Sequence, residues 1–139
     1  MIATRLYTPK SAEDAFYRAF ERADIEAMMS VWDDSPEIVC IHPGGETLQG
    51  PQAIRASWLE IFQTVTRLQF AVQEQVKLSD DHLAVFVVHE LLHIEGRPPA
   101  GPIIATNAYR LTDAGWRMVL HHAAPGPHAT PNSRPTSFH

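Results

Sequence analysis

The chain changes its hydrophobic period near residue 68, and the change divides it into two unlike halves. Before that point apolar residues recur at three- and four-residue spacing. Phe16 and Phe20 form one such set, Ile25, Met28, Met29 and Trp32 a second, and Ile54, Trp58, Ile61 and Phe62 a third. These stripes predict three amphipathic helices. After it, Leu68, Phe70, Val72, Val76 and Leu78 alternate with Gln69, Gln73, Gln75 and Lys77, as in a half-buried antiparallel strand. Residues 83–94, 103–111 and 116–123 make three more β-rich runs. Turn residues separate them: Ser79-Asp80-Asp81-His82, the Gly- and Pro-rich stretch 95–102, and Thr112-Asp113-Ala114-Gly115.

Helix starts follow from caps. Ser11, with Asp14 three residues on, predicts the first, Asp24 the second, and Gly50-Pro51 the third. Pro36 stops the second, because proline disfavours helix in the residue before it. Between the second and third helices lies a short strand with Ile38, Cys40 and His42 on one face and Val39 and Ile41 on the other. Helices gathered at one end and antiparallel strands at the other give an α+β fold, with a mostly antiparallel curved sheet wrapped over three helices. Such a sheet encloses an apolar cup, and His42, before Pro43-Gly44-Gly45, stands at its rim.

With 139 residues, 45% of them apolar and 19% charged, the chain fits one globular domain over 1–124. The Pro-rich residues 125–139 predict an extended or disordered tail. A net charge of −5 without a Lys/Arg block speaks against nucleic acid as a partner. One cysteine, Cys40, a first segment lacking a signal-peptide core and no apolar run of spanning length predict a cytoplasmic protein without membrane contact.

Three segments in this order, AFERADIEAMMSVW, IHPGGETLQGPQAIRASW and ATNAYRLTDAGWRMVLHH, make the chain resemble the nuclear transport factor 2-like superfamily, in its SnoaL-like and ketosteroid-isomerase-like branch. The likeness covers about residues 11–124. It implies a cone-shaped α+β barrel, usually dimeric, with a pocket in its wide end. The branch places a carboxylate base just before a proline at the end of the first strand. Here His42 holds that place, or Cys40 if the strand is aligned without a gap. The oxyanion tyrosine of the first helix falls at Phe16, and the assisting carboxylic acid at Asn107.

His89-Glu90-Leu91-Leu92-His93 spells HExxH, a zinc signature when helical, where i and i+4 lie about 6 Å apart. Flanked by Val85, Phe86, Val87, Val88 and Ile94, it predicts a strand. The two histidines then stand roughly 13 Å apart on one face and share no metal. Gly44-Gly45 lacks the spacing and lysine of a phosphate loop, and no cofactor is expected. His42 reads as an acid/base or as a strand-end cap, and Asn107 as a structural bridge or a ligand donor.

Strand parity, with Leu111 opposite Trp116, points His42, Asn107 and His122 into one cavity, with Tyr17, Trp32, Trp58, Phe62 and Tyr109 as candidate walls. A register shifted by one would bring in His121 instead. The expected function is therefore binding of a small apolar or carbonyl-bearing molecule, in one apolar pocket per subunit of a homodimer. One alternative is an isomerase, cyclase or hydratase with His42 as acid/base and Asn107 polarising a carbonyl. Another is a non-catalytic structural or interaction module.

Overall fold

The computed structural model describes residues 5–64, 68–98 and 100–127; the tail expected to be extended lies outside them from residue 128 on. The order is α1 (Pro9–Arg22), α2 (Ile25–Val31), β1 (Val39–Ile41), β2 (Thr47–Gln49), α3 (Pro51–Thr64), β3 (Leu68–Ser79), β4 (Leu83–Ile94), β5 (Ala100–Thr112) and β6 (Gly115–Pro125). One open sheet runs β2-β1-β6-β5-β4-β3. All neighbours are antiparallel except β1 and β6. The α+β expectation holds. β2 is an addition: the chain turns back after Gly44, at φ 72°, and pairs Leu48 with Cys40.

Helix α1 starts three residues before the expected Ser11. Thr8 is the cap, its hydroxyl accepting the Ser11 N–H at 3.0 Å while Ser11 Oγ accepts the Thr8 N–H at 3.1 Å. Pro9 occupies the first turn, where its missing N–H costs nothing. Asp24 caps α2 as expected, accepting from Ala27 N at 3.0 Å.

The inner sheet face carries Ala84, Phe86, Val88, Ala105, Tyr109 and Met118, all buried with Phe16, Met28, Ile54 and Trp58 of the helices. Two bulges re-aim side chains. In β3, Glu74 pairs with Val88 but Val76 with Val87, leaving Gln75 as the extra residue. In β6, Tyr109 pairs with Met118 but Ala108 with Leu120, leaving Val119 as the extra residue. The second bulge decides which histidine faces inward.

Candidate functional site

Four buried side chains from four elements form one directed run of hydrogen bonds. Tyr17 of α1 donates its hydroxyl to Glu90 Oε2 of β4 at 2.5 Å and accepts Asn107 Nδ2–H from β5 at 3.0 Å. Asn107 Oδ1 lies 2.6 Å from His121 Nδ1 of β6. Since that oxygen only accepts, Nδ1 carries the proton. Every bond donates in the direction of Glu90.

Burial pushes the Glu90 carboxyl up to about 7; the Tyr17 bond works against the shift and Glu13 adds to it. Burial, then Glu90, also holds the Tyr17 hydroxyl well above its ordinary value, so it remains a neutral donor. Burial lowers His42 to about 4. The two groups act on stability with opposite sign. Glu90 contributes stability that is present below its ordinary 4.5 and lost as pH rises through about 7. His42 contributes stability that is present above 6.5 and lost as pH falls through about 4. Glu90→Gln removes only the first. Its stability relative to the unsubstituted chain should rise by about 2–3 kcal/mol between pH 4 and 8. Urea unfolding at both pH values checks this, and a pH-independent difference contradicts it.

His42 is half-buried just beyond β1, its ring edge-on to Trp58 with centroids 4.8 Å apart. Its Nε2 lies 2.9 Å from Ser57 Oγ and 3.6 Å from Cys40 Sγ. Ser57 gives its own proton to Ile54 O at 2.7 Å, so His42 Nε2–H donates to Ser57 and Nδ1 is the basic nitrogen. Burial raises the Cys40 thiol to about 12, which leaves it an inert thiol near neutral pH.

His42 and Asn107 do not touch. Asn107 bonds His121, whose ring centroid is 6.4 Å from that of His42. Trp58 is buried against both histidines, and Phe62 is half-buried on Trp58. Tyr109 is buried against Phe86, and Trp32 beside Met118. The Tyr109 hydroxyl and the Trp32 indole N–H have no hydrogen-bond partner among the described residues.

One expectation needs correction. His122 is exposed and pairs with Thr106, while His121 is buried opposite Asn107. Leu111 does pair with Trp116, but the bulge at Val119 shifts everything beyond it by one. Phe16, where the resemblance places the oxyanion tyrosine, packs on Tyr17, Phe20 and Trp58, and the neighbouring Tyr17 reaches Asn107.

HExxH is strand, as read: His89 and His93 share the outer face, opposite Gln73 and Gln69. That same alternation turns Glu90 inward with Ala84, Phe86 and Val88, a signal the motif concealed. Among the described residues no group of three or more His, Cys, Asp or Glu side chains is gathered to hold a metal, and no helix is long and apolar enough to cross a membrane.

A groove of about 240 Å³ opens between α1 and β3. Its walls include Tyr17, Phe70 and Val72, with Lys10, Glu13 and Arg18 as polar lining. Tyr17 thus joins the groove to the buried run of hydrogen bonds.

The model of the SnoaL-like domain family matches residues 10–126. A solved structure from Thiobacillus denitrificans ATCC 25259, named as a candidate calcium/calmodulin-dependent protein kinase type II association domain, is 39% identical, covering 88% of this chain and 98% of that one, with TM-score 0.85. A candidate dehydratase of the NTF2-like family from Streptomyces avermitilis is 30% identical over 83% of this chain and 91% of its own, with TM-score 0.74. F-box protein SKIP8 of Arabidopsis thaliana is 26% identical over 115 residues, 82% of this chain and 48% of that protein. The chain therefore spans about half the length of this curated relative.

Proposed function

Because the chain belongs to the SnoaL-like domain family, we propose that it is a small-molecule-binding member, taking its ligand in the groove between α1 and β3. The observation that carries this reading is the double position of Tyr17. Its ring lines the groove while its hydroxyl is held by Glu90 and Asn107. A recognition group fixed in this way loses little freedom when a ligand arrives. Phe70 and Val72 offer the apolar wall that a small organic molecule requires. Asn107 acts here through Tyr17, as a positioning residue. The isomerase-like alternative needs His42 and Asn107 on one carbonyl, yet the Asn107 N–H is committed to Tyr17 and its oxygen to His121. Binding is the better-supported reading.

Amide chemical shifts of the chain titrated with a small-molecule fragment set test it. Saturable shifts should cluster on α1 and β3 and be lost in Val72→Arg, which fills the groove. Shifts that survive Val72→Arg, or none that saturate, contradict it.

A second reading, an assembly module, is favoured by the outer sheet face. The pairs Val76–Val87, Leu78–Val85 and Val85–Ala108 share the side turned away from the helices, and Val76 and Leu78 are exposed. An apolar face of this extent suits self-association, and the likeness to an association domain points the same way. Light scattering at micromolar concentration should give a homodimer or larger species that Val87→Glu converts to monomer. A monomeric unsubstituted chain refutes this reading.

A further inference from the structure

Glu13 stands one helical turn before Tyr17 on α1 and lines the same groove. It is 1% exposed, and neither carboxylate oxygen has a hydrogen-bond partner among the described residues. A buried carboxylate without a donor costs the fold free energy, so such a group calls for a donor from outside the chain or for a proton. Burial raises its pKa first, and Glu74 and Asp14 add to this against the effect of Lys10.

Lys10 is the cation placed nearest. Its Nζ is 3.6 Å from Glu13 Oε1, but its short contact, 2.7 Å, is with Asp14, and Glu74 holds it from β3 at 3.8 Å. The lysine is thus anchored at the rim, closer to Asp14 than to Glu13. Its approach nonetheless shows which chemistry this carboxylate draws. The surrounding charges favour one more cation. Glu13, Asp14, Glu21 and Glu74 stand against Lys10, Arg18 and Lys77, the last held 3.1 Å from Glu74. Glu21 is partly spent on the Phe70 N–H, which its Oε2 accepts at 2.8 Å. The aromatic walls help as well, since the Tyr17 and Phe70 rings meet edge to face with centroids 5.4 Å apart and aromatic faces attract cations.

We propose that the groove between α1 and β3 binds a small primary organic ammonium, which donates to Glu13 while its apolar body rests on Phe70 and Val72. This rests on the reading that the groove is a ligand site. Its volume of about 240 Å³ suits a compact amine. A neutral donor would leave Lys10, at 3.6 Å, as the nearest countercharge, and an anion would meet the three acidic side chains that line the groove.

Calorimetric and amide-shift titrations of the full chain with benzylammonium, benzyl alcohol and benzoate test the proposal. Benzylammonium should bind saturably with shifts on α1 and β3, about tenfold or more tighter than the other two probes. Glu13→Gln, which removes no packed atom, should weaken it about tenfold or more. Lys10→Met, which removes the competing ammonium and keeps Glu13, should tighten it. Unchanged affinity in either variant overturns the proposal. If benzyl alcohol or benzoate binds in the groove as tightly as benzylammonium, the ammonium preference fails and the binding reading stands. If all three probes leave α1 and β3 undisturbed, both fail.

Discussion

Trp58→Ala should unfold at markedly lower urea concentration, with a stability loss of about 3–5 kcal/mol. The indole is fully buried and meets the rings of Phe16, Phe20 and Phe62 at centroid distances of 5.6, 4.7 and 5.7 Å. On its other sides it meets His42 at 4.8 Å and His121 at 5.9 Å. Alanine leaves a hole between α1, α3 and the sheet that rings held on rigid elements cannot close. The effect should reach beyond stability, because His42 loses the surface that orients it. Trp58→Phe should cost far less. Equal losses in the two variants would show that the site collapses around either side chain and that Trp58 holds nothing in place.

Asn107→Leu should cost about 4 kcal/mol in the same measurement. Leucine is close in size, so packing explains little of the loss. What disappears is the one group that both donates to Tyr17 and accepts from His121. His121 Nδ1–H is then left without this acceptor in a buried position, and Tyr17 keeps only Glu90. Asn107→Asp separates the hydrogen-bond effect from shape. It keeps the acceptor for His121 but faces Tyr17 with a second carboxylate beside Glu90. It should be less damaging at pH 5 than at pH 8, where Glu90, titrating at about 7, is charged. A cost for Asn107→Leu within about 1 kcal/mol would mean that the hydrogen-bond run is not part of what holds the interior together.

Much of this architecture is legible in the chain because period and caps are local signals. The three- and four-residue spacing around Trp58 and the alternation from Leu68 reappear as α3 and β3. Asp24 and Pro51 mark their helices where they should. What escapes has a physical reason each time. Thr8 caps α1 because Pro9 can begin a helix, a start as good locally as Ser11. The bulge at Val119 leaves no trace in composition, since Val119 is as apolar as its neighbours, yet it exchanges His122 for His121. Glu90 is hidden inside HExxH, where two histidines draw the eye to the wrong face of the strand. Glu13 looks like part of a solvated helix face beside Lys10 and Asp14. Its burial depends on β3, more than fifty residues away in sequence.

We propose that the space between α1 and β3 is a ligand site organised by Tyr17. A crystal structure of the chain soaked with a small-molecule fragment mixture tests it most directly. Density is expected in the groove, in contact with the Tyr17 and Phe70 rings, with the Tyr17–Glu90 and Tyr17–Asn107 hydrogen bonds intact. Density confined to other surfaces, with this groove empty at saturating fragment concentration, would contradict it.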